Sequence, residues 1–406
     1  MKERSCCARS ALELKTYYAG KNQATHPNVI SFEKPWHGYR YYMAYTTYPY
    51  GNGSEENPCL AASNDLIHWE KPEGLINPIA CCEEVECDEL KDTHLLYRED
   101  LDQLELWYLG RLNSTRSQGG PLYCFRKTSR NGVHWSRYEV MYCFDEIGLA
   151  SPSVIYLEGR YHFWGIRHDF VDIGLYYMTS ENGKEWSALE KCNIPMARET
   201  DMWHGAVCFW KDRYYYVWVG WAGKARNEIY LADSMDGKNW GGTRRILYND
   251  AGWAYLYRPA LLMEEETVYL YYGVVRHDGK WLIALSSGED IDHLCGICPT
   301  EVENHVEYVS FTRRMMLKKS INQIKALIVP RILVQIPLLF VLQCLLKSVW
   351  VVWGISMILS AAAHYFLFYR EKCLTGGIVM GTLCAASTTF VYQVMSEAIA
   401  WIKWLA

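Results

Sequence analysis

Five tripeptides in this chain carry side chains suited to binding or proton transfer: Thr25-His26-Pro27, Asp92-Thr93-His94, Ala150-Ser151-Pro152, Trp203-His204-Gly205 and Tyr257-Arg258-Pro259. Imidazoles, a guanidinium and a hydroxyl outnumber carboxylates in this set, so it is rich in hydrogen-bond donors. Such donors suit an anionic ligand, because a guanidinium matches two oxygens of a carboxylate or phosphate and imidazoles add further bonds. Arg167 and His168 would extend the same rim, and the ring of Trp203 could stack on a pyranose face. The candidate ligand-binding residues are therefore His26, His94, Ser151, Arg167, His168, Trp203, His204 and Arg258, with Asp92 and Asp201 as candidate catalytic carboxylates. His26, His94, His204 and Asp92 also have the chemistry of a metal centre. That reading ranks behind a site with no metal and no cofactor.

These segments can act together only if the fold brings them to one point, and an internal repeat supplies the reason. Ser63 to Trp69 reads SNDLIHW, Ser129 to Trp135 SRNGVHW, Ser180 to Trp186 SENGKEW and Ser234 to Trp240 SMDGKNW, with a decayed copy at Ser287 to Leu294. Asn or Asp followed by Gly supplies the positive φ of a tight turn, and the Ser hydroxyl bonds the turn backbone. Each copy follows three apolar runs, the second very aromatic, as in YRYYMAY and YYYVWVGW. Four strands per repeat, five times over, predict five propeller blades at about residues 24–80, 91–145, 149–196, 200–249 and 254–296. The turn tryptophans are expected to pack between blades, and the tripeptides to open each innermost strand at the mouth of a shared axis.

On these features the chain resembles the five-bladed propeller glycosidases, the arabinanase, xylosidase, invertase and levansucrase superfamily. The resemblance spans residues 24–296 and rests on blade number, the Ser-x-Asx-Gly-x-x-Trp turns and the entrances HPNV and SPSV. It implies a base or nucleophile Asp opening blade one, a second Asp opening blade three and an acid Glu opening blade four. The matching positions here are His26, Ser151 and His204, so the usual acidic triad is replaced. Three explanations stand side by side: a lectin-like relic, a hydrolase whose carboxylates have moved to Asp92, Asp201, Asp169, Glu56 or Glu228, or a shifted blade alignment that puts Asp201 in the blade-four role.

The 15 cysteines come without an apolar signal core in Met1–Ser10, which points to reduced thiols on the cytoplasmic side. Neither Cys81, Cys82 and Cys87 nor Cys295 and Cys298 has a second pair at zinc-finger spacing. A net charge of −5 carries no basic field for nucleic acid. The organisation read from the chain is an N-terminal segment at 1–23, an all-β five-bladed propeller at 24–312, a basic juxtamembrane linker at 313–325 and a helical transmembrane tail of two or three spans at 326–406. The leading functional expectation is a membrane-tethered, glycosidase-like propeller that binds, and can hydrolyse, an anionic glycan or glycolipid headgroup. Its rival is a non-catalytic scaffold that binds a protein at a membrane.

Overall fold

The computed structural model describes residues 5–17, 21–85, 87–112, 121–144, 148–168, 172–196, 201–222 and 225–299. Five antiparallel sheets follow one another along the chain. The first holds β1 (Ala24–Trp36), β2 (Tyr39–Thr47) and β3 (Pro58–Ser63). The second holds β4 (Cys87–Arg98), β5 (Gln103–Leu112), β6 (Leu122–Ser129) and β7 (Glu139–Phe144). In the third are β8 (Leu149–Leu157), β9 (Arg160–His168), β10 (Ile173–Ser180) and β11 (Glu190–Lys191). The fourth is β12 (Asp201–Trp210), β13 (Arg213–Ala222), β14 (Ala225–Ser234) and β15 (Gly241–Tyr248), and the fifth β16 (Tyr255–Met263), β17 (Val268–Val275), β18 (Trp281–Gly288) and β19 (Cys295–Ile297). Innermost strands β1, β4, β8, β12 and β16 abut in sequence, and β16 abuts β1, so the five sheets close into a propeller.

The expected turn ends the third strand of the first four blades. In blade four Ser234 Oγ accepts from the backbone N–H of Gly237, Asp236 Oδ1 accepts from those of Lys238 and Asn239, and Trp240 Nε1 donates back to the Gly237 carbonyl. Gly132, Gly183 and Gly237 have φ of 72°, 75° and 70°, the region glycine enters without steric cost. In the first copy Leu66 holds φ 70° in its place and buries its side chain between blades five and one. Trp69 and Trp240 lie inside inter-blade clusters and Trp135 and Trp186 against them, so the turn tryptophans pack blades together. Five apolar clusters, one per blade interface, form the core.

Blade one departs from the expected four strands: its sheet has three. The outer edge of β3 is closed by an irregular run instead. Ala62 exchanges both backbone hydrogen bonds with Glu70, the Asn77 carboxamide bonds both N–H and C=O of Leu60 as a strand peptide would, and Ile79 N–H donates to the Pro58 carbonyl. A capped edge of this kind offers no ladder to another chain. Blade two also begins earlier than expected, at Cys87.

The N-terminal segment is bolted to the ring. Ala8 N–H donates to the Tyr272 hydroxyl, its carbonyl accepts from Trp253 Nε1, and Leu12 N–H donates to the Ile283 carbonyl, each at 2.8 Å. Gly296 makes this approach possible, since a Cβ there would meet Ala8 Cα at 2.3 Å. Among the described residues no helix is long and apolar enough to cross a membrane. The linker at 313–325 and the apolar tail at 326–406 lie outside the described residues.

Candidate functional site

Each innermost strand bulges near its start, and the bulge sorts the tripeptide side chains into separate layers. Register slips between Thr25 and Asn28 in β1, Lys91 and His94 in β4, Ala150 and Ser153 in β8, Met202 and Gly205 in β12, and Tyr257 and Pro259 in β16. An extra residue on one strand re-aims the side chains beside it. His26, Asp92 and Ser151 occupy the same bulge position, at φ 55°, 55° and 54°. Left-handed backbone at three non-glycine residues is strain that packing alone does not require.

The residue just past the bulge stitches neighbouring blades in β1, β4 and β8. Asn28 Oδ1 accepts from Leu95 N–H, His94 Nε2 bonds the Val154 carbonyl at 2.8 Å, and Ser153 Oγ accepts from Val207 N–H. His94 thus belongs to the stitching layer. Burial pushes its imidazole down to about 3, so it is neutral there.

His26, Asp92 and His204, from blades one, two and four, meet on the axis with ligand-type atoms all within 4.8 Å of one another. All three are buried, Asp92 completely. Nε2 of His26 and Nδ1 of His204 each lie 3.3 Å from Asp92 Oδ1. Neither oxygen of Asp92 has a well-aligned hydrogen bond to a described residue, the 3.3 Å approach of His204 Nδ1 being poorly directed. Burial outweighs the attraction of Asp92 and lowers the imidazoles of His26 to about 3 and His204 to about 4, so both are neutral. Burial opposes the charge of Asp92, but attraction to His204 and His26 in their protonated forms and to the permanently charged Arg258 holds the carboxyl well below the usual range.

Partners behind the cluster fix which nitrogen faces inward. Thr46 Oγ1 donates to Glu56 Oε1, so it can only accept from Nδ1 of His26 at 2.9 Å, and Glu56 Oε1 lies 2.9 Å from the same nitrogen. A proton on Nδ1 of His26 would satisfy both acceptors and turn the lone pair of Nε2 toward Asp92. Nε2 itself has no hydrogen-bond partner among the described residues. His204 is held by Tyr257 Oη on Nε2 at 2.6 Å and Ser151 Oγ on Nδ1 at 2.7 Å. The Tyr257 bond, on the nitrogen turned away from Asp92, is of the kind that orients metal-ligating histidines. Two neutral imidazoles facing a buried carboxylate without a well-aligned hydrogen bond fit a divalent cation, whose ligands are deprotonated nitrogens and oxygens.

Arg258 is wholly buried with Nη1 3.6 Å from Asp92 and Nη2 donating to the Pro152 carbonyl at 2.9 Å. It supports the carboxylate from behind and does not line the mouth. Glu56, only 5% exposed, is raised well above the usual carboxyl range, first by burial and then by Asp92. Sequence reading reached it only as one of several relocated carboxylates. Of the other candidates, Trp203 is half-buried against His204 at 5.1 Å between ring centroids, with His168 packed on it at 4.3 Å. Arg167 faces Asp172 at 3.7 Å. Asp201 is exposed at the first residue of β12, and Glu228 bonds Tyr230 and Arg245 on outer strands. Asp169 lies outside the described residues. The half-buried rings of Tyr48, Trp203 and Tyr255 pack beside the cluster against Tyr257 and Trp281, with Trp281 bracing Tyr48 and Tyr255 at 4.7 and 5.6 Å.

No family model matches the chain. Over 328 residues it is 25% identical to an A type blood N-acetyl-alpha-D-galactosamine deacetylase of Flavonifractor plautii. That match covers 66% of this chain and 42% of the relative, so the chain spans less than half of the relative's length. Among solved structures, the crystal structure of an N-acetylgalactosamine deacetylase from F. plautii in complex with blood group B trisaccharide aligns at a TM-score of 0.62 and 20% identity, over 71% of this chain and 94% of that one. A thermostable family-43 glycoside hydrolase aligns at 0.53 and 13% identity, over 68% and 94%. The five-bladed propeller therefore matches the glycosidase-type propellers in fold, as the turn and entrance motifs implied.

Proposed function

We propose that the propeller is a metal-dependent hydrolase that removes the acyl group of an N-acetylated amino sugar at its axial mouth. The observation that carries this reading is the buried His26–Asp92–His204 cluster standing where a glycosidase needs opposed carboxyls. Cleaving a glycosidic bond requires two carboxyl groups with substrate between them. Here the only carboxyl beside Asp92 within the described cluster is Glu56, and the imidazole of His26 fills the space between them. The deacetylase activity of the F. plautii relative supports an acetamide as the target.

Nε2 of His26, a carboxylate oxygen of Asp92 and Nδ1 of His204 would hold the ion. A divalent ion so held supplies Lewis-acid polarisation of a carbonyl and lowers the pKa of water. Glu56 and Thr46 keep the His26 proton on Nδ1, and Tyr257 anchors His204 from behind. Tyr48, Trp203 and Tyr255 offer flat apolar faces to a pyranose. The donors that motivated an anionic ligand are engaged elsewhere: Arg258 on Asp92 and Pro152, and His94 on Val154. A neutral acetamido sugar takes the anionic glycan's place in this reading.

On composition, the proposal includes a membrane tether at 326–406, with the propeller on the cytoplasmic side near lipid-linked glycans, which would raise their effective concentration. Release of the full-length chain by alkaline extraction of membranes would remove that part. For the activity, the full-length chain is incubated with N-acetylgalactosamine and N-acetylglucosamine glycosides, with and without chelator, beside a panel of chromogenic glycosides. Chelator-sensitive acetate release is the expected result. Glycoside cleavage without acetate release, or neither reaction, overturns the proposal.

A further inference from the structure

Ser151 stands at the same bulge position as His26 and Asp92, with the same left-handed φ, although it is neither an imidazole nor a carboxylate. It is 2% exposed. The blade-to-blade stitch in this strand is made by Ser153, whose Oγ accepts from Val207 N–H at 3.0 Å, so Ser151 is not needed for that task. Its hydroxyl lies 2.7 Å from Nδ1 of His204, the nitrogen that faces Asp92 at 3.3 Å. A histidine–metal bond is about 2.0–2.1 Å long. Any ion on that nitrogen thus comes within about 5 Å of Ser151 Oγ without a change in the fold.

We propose that Ser151 is a catalytic residue of this centre, whose hydroxyl caps Nδ1 of His204 in the metal-free chain and, once an ion takes that nitrogen, hydrogen-bonds and orients the attacking water. A hydroxyl is suited to this place because it both accepts and donates, and it adds no second negative charge beside Asp92. The buried surroundings leave that hydroxyl with His204 as its only hydrogen-bond partner among the described residues, so loss of the nitrogen to an ion frees it for water. The inference rests on the metal-centre reading above and assigns a residue that reading leaves without a role.

The test uses the full-length chain with Co²⁺ alone as the probe, then the acetate-release assay. In Ser151→Cys, a sulfur within reach of the ion adds a near-ultraviolet sulfur-to-cobalt charge-transfer band that the wild type lacks, because thiolate is a good ligand for such ions. Ser151→Ala keeps the Co²⁺ affinity within about threefold and KM nearly unchanged, while kcat falls roughly 100-fold, the scale of a lost proton-handling group. Ser151→Cys that binds Co²⁺ without the band, or Ser151→Ala with wild-type kcat, overturns the proposal. Failure of the wild type itself to bind Co²⁺ removes the metal centre and this role with it, and is distinguished because it precedes any substitution.

Discussion

Nε2 of His26 and Oδ1 of Asp92 face each other across 3.3 Å in a pocket closed to solvent, and no hydrogen bond joins them. With the His26 proton on Nδ1, both atoms present lone pairs. Two lone pairs at that separation in a low-dielectric interior are unfavourable unless a cation or a proton lies between them. Burial lowers the His26 imidazole and so disfavours a proton there. Arg258 at 3.6 Å compensates the charge of Asp92 without hydrogen-bonding it.

Removing the carboxylate should therefore expose that pairing. In chelator-treated protein, Asp92→Ala leaves the wholly buried Arg258 without its counter-charge, and denaturant unfolding should show a loss of about 3–5 kcal/mol. Adding Arg258→Met should recover most of it. An Asp92→Ala single variant as stable as the wild type would mean the two groups are not energetically coupled.

Tyr257→Phe deletes the hydroxyl 2.6 Å from Nε2 of His204 while leaving the ring that packs on Trp281 at 4.8 Å. Outer partners of ligating histidines are worth about 10–100-fold in metal affinity. Isothermal titration of Co²⁺ into this variant should show a weakening in that range with an unchanged thermal midpoint.

Gly237→Ala should destabilise blade four by more than about 1 kcal/mol, since the position holds φ 70° and a Cβ would meet Trp164 Cζ2 at 2.7 Å. The Trp164 indole also donates to the Gly237 carbonyl at 2.8 Å, so a shift of the turn is felt in the core. Thermal unfolding of the variant measures it.

The repeat was readable because its chemistry is local: a Ser hydroxyl, an Asx side chain and a glycine fix each turn wherever it sits in the fold. Even the first copy, which has no glycine in the turn, keeps the geometry, with Leu66 at φ 70°. The missing fourth strand of blade one was not readable, because Asn77 imitates a backbone amide with its side chain and no pattern announces that. The axial site was legible as five tripeptides but not as an axial cluster with a separate stitching layer. Asp92 and His94 are two residues apart, yet one faces the axis and the other bonds Val154 in the next blade. A bulge breaks the two-residue alternation on which strand reading depends. Glu56 could be named only among several relocated carboxylates, because it reaches His26 from the β2–β3 connection, whose path is set by tertiary contacts.

Acid should loosen the turns before the core. Partial burial of Asp65 opposes its charge, but the His68 imidazole at 2.6 Å and the backbone N–H groups of His68 and Ile67 outweigh it and hold the carboxyl down to about 2. An unfolded aspartate titrates near about 3.9. Its folded value is depressed, so its contribution to stability is full above about pH 4 and is lost as pH falls through about 2. Urea midpoints between those limits should fall less steeply in Asp65→Asn than in the wild type.

Calorimetric titration of Co²⁺ into chelator-stripped full-length chain reports whether the axial cluster is a metal centre. Wild type should bind one ion per chain, and Asp92→Asn, which keeps the shape but removes the charge, should bind none at the same concentrations. No binding by the wild type, or equal binding by the variant, would contradict it.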